Sequence, residues 1–334
     1  MRIQYDDMIQ EFKRILVSKG FSEEDAYESA KLFTENSLDG VYSHGVNRFP
    51  RVVSYIDKGY IDVKAKPEKV ASMGAFERWD GKLAMGNLNA KRAMERAVEL
   101  SKEFGIGLVA IGNTNHWMRG GAYGWQAANA GCVGICWTNT MPNMPAWGGK
   151  DRRIGNNPFV IAVPRSSGQH LVVDMAMAQF SYGKIEETKF KGGQLPVAGG
   201  YDRNGELTTD PEEIEATWRV LPVGFWKGSG MSIALDLVAA ILSAGMSTTD
   251  IGKKCEDEYG LSQVLIAIDP RHFNTEEFTD EVINRVIEDV KGSIPAAEGS
   301  SIRYPGERDY QTRLENMKEG IPVLPEIWET IKSL

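Results

Sequence analysis

Apolar residues recur at helical spacing from the start of the chain: Met8, Ile9, Phe12, Ile15 and Leu16, with Gly20 placed to stop the helix. Ser22, followed three residues on by Asp25, marks the start of a second helix carrying Ala26, Ala30 and Phe33. Asp39-Gly40 ends it in a turn, and Val52, Val53, Tyr55 and Ile56 predict a short helix over 51–60. The rhythm changes at Trp79-Asp80-Gly81. Ala90, Ala93, Met94, Ala97, Val98, Ser101 and Phe104 predict a helix with a small-residue face that packs closely on a sheet, closed by Gly105. The unbroken run Leu108-Val109-Ala110-Ile111 reads as a buried strand, as do 132–138, 159–163 and 264–268. Ser166-Ser167-Gly168 fits a hairpin into His170–Met175, and that antiparallel pairing argues against a plain succession of strand-helix-strand units. Further helices are predicted over 122–130, 231–244, 281–290, 308–318 and after Pro325.

Chemistry concentrates in the turns of this pattern. Asp39 to Pro50 holds Ser43, His44 and Arg48 within six residues: a hydroxyl, an imidazole able to move a proton near neutrality, and a guanidinium that forks a carboxylate. If Val46 begins a helical turn, His44 and Arg48 share a face. The alternative is a loop histidine held by Ser43 beside a surface arginine. A second such turn, Gly112 to Tyr123, places His116 and Arg119 after a strand, as a binding loop or as a strand-end cap. Gly224-Phe225-Trp226-Lys227-Gly228-Ser229-Gly230 precedes an apolar helix, which reads either as a phosphate site of exposed N–H groups beside a lysine or as a glycine turn that lets the helix pack. No G-x-G-x-x-G, Walker A loop, H-E-x-x-H or Cys/His metal spacing is present, and no metal site is expected.

The chain of 334 residues carries net charge -8 without a run of Lys or Arg, which excludes a nucleic-acid footprint. Its longest apolar run, Ser232 to Ala244, contains Asp236 and is too short to span a bilayer, and the charged N-terminus has no signal-peptide core. Cys132 and Cys136, on one strand, would lie about 13 Å apart, beyond the roughly 7 Å reach of a disulfide. A reduced, cytoplasmic protein is expected.

In order along the chain, Ser43-His44-Gly45 with Arg48, Asp80-Gly81 with Gly86, Gly105-Ile106-Gly107 leading into Asn113–Tyr123, Gly155-Asn156-Asn157-Pro158, Val173-Asp174-Met175-Ala176, Lys227-Gly228-Ser229-Gly230 and Pro305-Gly306-Glu307 resemble the type-2 malate/L-lactate dehydrogenase family. The resemblance implies an α/β fold with a mixed, largely antiparallel sheet and flanking helices, a non-Rossmann NAD(P)-binding arrangement, and homodimers. An N-terminal helical segment, 1–72, is expected to pack with 296–334, around a sheet domain over 73–295. By position, His44 would be the proton donor in reduction of a 2-oxo acid, with Ser43, Arg48 and His116 lining the substrate pocket. NADH, or NADPH, would contact His170, Leu171, Val172, Val173, Asp174, Met175 and Ala176, then Trp226 and Lys227, then Gly306, Glu307 and Arg308. The chain departs from many members in carrying Thr140 where they have Lys, and Trp117-Met118-Arg119 where they have a small or apolar run. Arg119 is expected either to serve the far polar end of a longer, sugar-derived 2-oxo acid or to sit in a salt bridge. Dehydrogenases of malate, lactate or ureidoglycolate and imino-acid reductases are the competing readings within the family. A metal-dependent sugar-acid isomerase or lyase using His44, His116 and Asp174, and a sugar-acid-binding protein, are the readings outside it.

Overall fold

A seven-stranded sheet divides the larger part of the structure, a computed structural model that describes residues 1–254 and 257–334. Its strands are β1 (Glu68–Met73), β2 (Phe76–Asp80), β3 (Ile106–Thr114), β4 (Val133–Thr138), β5 (Phe159–Val163), β6 (Leu171–Met175) and β7 (Leu261–Ile268). Their order across the sheet is β1-β2-β3-β7-β4-β5-β6. Only β2 and β3 run parallel among the described pairs; β7 enters between β3 and β4 antiparallel to both. The β5–β6 hairpin forms as expected, with Val160 opposite Asp174.

The helices are α1 (Tyr5–Ser18), α2 (Glu23–Leu38), α3 (Phe49–Asp57), α4 (Gly86–Phe104), α5 (Gly121–Asn129), α6 (Tyr182–Phe190), α7 (Pro211–Thr217), α8 (Trp226–Ser243), α9 (Thr248–Lys254), α10 (Glu276–Lys291), α11 (Glu307–Glu319) and α12 (Pro325–Lys332). Alternation along the strands assigns one helix layer to each face. Val109, Ile111, Cys136, Leu265 and Ala267 pack against the small-residue face of α4 and against α5. Ala110, Trp137 and Val264 point the other way, where α8 supplies Leu235 and Ala239 and the Trp137 indole donates to the Leu235 carbonyl at 3.1 Å.

A second core joins the two ends of the chain. Phe12 of α1 stacks on Phe49 of α3 at 4.1 Å, Phe33 of α2 meets Phe49 edge-on, and Trp328 and Ile331 of α12 close the cluster. Arg2–Ile3 pair with Ile321–Pro322, and the Met1 amino group donates to the Val323 carbonyl at 3.0 Å. Met85, Leu88 and Met118 belong to this core, so the start of α4 and the loop after β3 are gripped from both sides. The boundary expected after residue 72 falls inside β1, an exposed edge strand whose six residues give no apolar alternation. Among the described residues no single helix is long and apolar enough to cross a membrane, although α8 and α9 together form a bent pair of sufficient length and composition. Cys132 and Cys136 are free, buried thiols.

Candidate active site

The chain from α2 to α3 makes one tight turn, Tyr42–His44, before helix α3 starts at Phe49 with Arg48 as its N-cap. The helical start expected at Val46 thus comes three residues later, because Gly45 turns the backbone back onto α2. A Cβ at Gly45 would run into Ser37 Oγ, with Ser37 N at 2.8 Å and the Phe33 carbonyl at 2.9 Å. Ser37 Oγ accepts the Val46 N–H at 2.8 Å, and the buried Asn36 amide donates to the His44 carbonyl at 3.0 Å. α2 therefore fixes the height and direction of the imidazole.

The loop after β3 is fastened equally tightly. The Asn115 amide donates to the carbonyls of Tyr60, Leu83 and Ala84, and the Asn115 carbonyl accepts from Gln263 on β7. Gly86, opening α4, lies so close to the Asn115 and His116 carbonyls that no side chain fits there. These contacts bring His116 onto His44, ring centroids 5.8 Å apart and planes within 19°. Met118, held at φ 68°, directs its N–H to His116 Nδ1 at 2.9 Å. That bond makes Nδ1 an acceptor, so neutral His116 carries its proton on Nε2. His44 Nδ1 shares a hydrogen with Ser43 Oγ at 3.0 Å, which leaves Nε2 to face a ligand.

Glu258, just ahead of β7, completes the cluster and was not singled out by any local pattern. Its Oε2 accepts from Arg48 Nη2 at 2.5 Å and its Oε1 lies 3.8 Å from His116 Nε2. Asp257 beside it takes Lys58 Nζ at 2.9 Å and the Tyr55 hydroxyl at 3.3 Å, tying the segment to α3. Arg48 Nε is buried with no acceptor among the described residues. Burial, then the neighbouring His116 and Arg48, push the His44 imidazole down to about 3 despite Glu258. Burial likewise lowers His116 to about 4, with Glu258 opposing and Arg48 assisting. Burial alone would raise Glu258, but His116, Arg48, Arg51 and His44 hold it below the usual carboxylate range. Both rings are neutral at pH 7 while Glu258 is charged.

Arg119 goes elsewhere. Its side chain is 2% exposed and pairs with Asp39 at the end of α2 and, at 2.6 Å, with Asp309 of α11. Arg313 shares Asp39 at 2.6 Å, and Asp174 lies 3.9 Å from Arg119 Nε. The guanidinium is thus engaged in an ion-pair hub, the second of its two expected roles. Thr140 is also engaged: its N–H donates to Asn157 Oδ1 at 2.9 Å and its hydroxyl bonds Asn156 at 3.2 Å.

The expected cofactor segments do meet. Val172 N donates to the Pro305 carbonyl at 3.0 Å, and Gly306, at φ 91°, sits against the β6 backbone where a Cβ would lie 3.0 Å from Val172 N. Val223 N reaches the Met177 carbonyl at 2.8 Å, which brings the start of α8, with Trp226 and Lys227, to the end of β6. The His170 ring faces inward, bonded to Asn129 at 2.9 Å and to Arg165 N at 3.0 Å, so only its backbone is available to a ligand. The first amides of α8 are bonded within the turn, Gly228 N to Val223 O at 2.9 Å and Ser229 N to Phe225 O at 3.3 Å. A Cβ at Gly228 would strike the Val223 backbone. The glycine turn therefore lets the helix pack, and its amides are not free for a phosphate.

A model of the family described as malate/L-lactate dehydrogenase matches residues 3–332. The chain belongs to the malate/L-lactate dehydrogenase family. It is an oxidoreductase, 47% identical over 334 residues, 100% of both chains, to the 2,3-diketo-L-gulonate reductase of Pasteurella multocida. It is 45% identical, again over 100% of both, to the protein of that name from Salmonella typhimurium. Among solved structures it resembles malate dehydrogenase from Pyrococcus horikoshii OT3, with TM-score 0.89 and 30% identity over 98% of this chain and 93% of that one. Sulfolactate dehydrogenase from Methanocaldococcus jannaschii gives TM-score 0.88 and 30% identity over 100% and 96%.

The family implies a nicotinamide dinucleotide, and the residues present fit one. A cavity of about 240 Å³ opens between Asp39–Tyr42 and the start of α11, lined by Arg308, Asp309 and Thr312. Arg308 suits a phosphate. Glu307, held by Lys291, keeps a buried Oε2 without a partner among the described residues, an acceptor suited to a ribose hydroxyl.

Proposed function

We propose that this chain reduces a 2-oxo sugar acid, 2,3-diketo-L-gulonate to 3-dehydro-L-gulonate, with NADH as the reductant. Full-length relatives of that name support the substrate. The observation that carries the reading is a buried arginine N–H without an acceptor beside two stacked, neutral imidazoles. A buried unpaired donor costs about 1–3 kcal/mol until an acceptor arrives, and a substrate carboxylate supplies one.

Residues 170–176, Trp226-Lys227 and Gly306-Glu307-Arg308 would hold the dinucleotide, whose chemistry there would be hydride donation to C2. Arg48 fixes the substrate carboxylate and so sets which carbonyl is presented. His44 gives the proton on Nε2 to the oxygen that becomes the hydroxyl, while Ser43 Oγ accepts from Nδ1–H of the ring that remains. His116 presents Nε2–H, a donor rather than a competing base. Burial, then His116 and Arg48, keep His44 unprotonated, and an arriving carboxylate opposes the Arg48 part of that shift, so binding of the acid favours the proton on His44.

The working unit in this reading is a cytoplasmic homodimer. α8 leaves Trp226, Met231, Leu237 and Ile241 exposed, an apolar face suited to burial by a second copy. Free Cys132 and Cys136 suit a reducing compartment.

The test is loss of NADH absorbance with a panel of 2-oxo acids, with NADPH in parallel. Turnover of 2,3-diketo-L-gulonate above pyruvate and oxaloacetate is expected. His44→Ala should still bind NADH while kcat falls by about 10²–10⁴; equal turnover by that variant removes His44 from the reaction.

A further inference from the structure

Glu258 places a fixed negative charge inside the cleft, 11% exposed, between Arg48 and His116. It takes one hydrogen of Arg48 Nη2 and leaves the buried Nε, which has no acceptor among the described residues, for an acid. Its segment does not swing freely, because Asp257 is tied to Tyr55 and Lys58 of α3. The cleft therefore holds one arginine already balanced by one carboxylate. The other cations nearby are engaged: Arg119 by Asp39 and Asp309, and Arg51 by the Tyr55 hydroxyl at 2.9 Å with Asp257 at 3.9 Å. A substrate with a single carboxylate finds its clamp. The second carboxylate of a dicarboxylic 2-oxo acid would meet the Glu258 charge, while Arg119 and Arg51, among the described residues, are already engaged. A chain of hydroxyl groups, by contrast, brings the donors that a buried carboxylate accepts.

We propose that Glu258 is a specificity-determining residue that selects hydroxylated monocarboxylic 2-oxo acids and rejects dicarboxylic ones. It works by repulsion toward the wrong acid as well as by hydrogen bonds to the right one. The inference rests on the proposed reduction at His44 and adds the chemical class of the substrate's far end.

The experiment compares kcat/KM for 2,3-diketo-L-gulonate and for oxaloacetate in the full-length chain, its Glu258→Gln variant and its Glu258→Asp variant. For E258Q the two constants should move in opposite directions, about tenfold down for the diketo acid and about tenfold up for oxaloacetate. E258D keeps the charge and should still exclude oxaloacetate while losing about tenfold on the diketo acid, which covers the case in which E258Q fails to fold. If Glu258 merely braces Arg48, both constants shift together and their ratio stays within about twofold; that result overturns the inference and leaves the proposed reduction intact. Wild-type turnover of neither acid would overturn both.

Discussion

Replacing Arg119 with Met keeps the length of the stem and removes the charge from the buried centre of a hub whose outer partners, Asp309 and Arg313, reach solvent. Breaking a buried pair by deleting one partner costs about 3–5 kcal/mol, because the remaining charge is left desolvated. Two features set the value at the lower end. Asp39 keeps Arg313 at 2.6 Å, and Asp309 is one-third exposed, so water reaches it. The expected loss is about 3 kcal/mol, a fall of about two orders of magnitude in the folded-to-unfolded ratio. In urea, where a chain of this size unfolds with a slope of roughly 3 kcal/mol per M or more, the midpoint should drop by at most about 1 M. Asp309→Asn alone should cost less, and the R119M/D309N pair should cost less than the sum of the two, because the singles share one interaction. A loss below about 1 kcal/mol for R119M, or full additivity, would refute the claim that the hub is desolvated and coupled. A rise in KM without a loss of stability would return Arg119 to the substrate.

In the proposed reduction His44, pushed down to about 3 chiefly by burial, carries the proton in only a small fraction of molecules at neutral pH. The kcat/KM for reduction should therefore fall about tenfold per pH unit through the neutral range while that for oxidation of the hydroxy acid stays level; a reduction profile flat from pH 6 to 8, on the order of two units, would contradict this. The same depressed values bear on folding. Below about pH 6.5 the unfolded chain binds protons that the folded His44 and His116 refuse, so stability falls as pH is lowered toward 4, by at most about 1.4 kcal/mol per unit per ring. His116→Asn should remove about half of that slope in denaturation measured across the window. Gly45→Ala should cost about 1–3 kcal/mol and displace His44, read as a lowered Tm together with a lowered kcat, since the methyl has only Ser37 and the Phe33 carbonyl to enter.

What could be read along the chain follows from how local its causes are. The Ser22 cap forms as the spacing predicted, its Oγ accepting Asp25 N at 3.2 Å, and the small-residue face of α4 meets the sheet. His44, Arg48 and His116 lie in turns whose content was visible in a dozen residues. Arg119 stood in the same turn as His116, but its partners could not be read there: they are 80 and 190 positions away, and one of them, Asp39, looked like an ordinary turn residue. Glu258 reaches Arg48 across 210 positions, and nothing in the short charged stretch before Gly260 and β7 names that partner. α6 buries only Ile185 and Thr188, too little to mark a face, and β1 buries none of its residues. Long-range charge pairing and edge elements leave no periodic trace.

The turn that carries His44 also has a history in time. Its carbonyl and hydroxyl supports come from the far end of the chain, where Asn316 donates to the Leu38 carbonyl at 2.9 Å and to the Tyr42 hydroxyl at 3.4 Å, and Arg313 holds Asp39. Position 316 is synthesised 272 residues after position 44 (316 − 44). At ordinary translation rates that is a wait of roughly 15 to 55 s. A nascent chain therefore carries this turn for most of synthesis with its α2 contacts alone. The flanks of the turn are fastened by one of the last helices to emerge, so a product truncated before α11 would lack the Asn316 and Arg313 contacts even with every residue of the His44–His116 pair present.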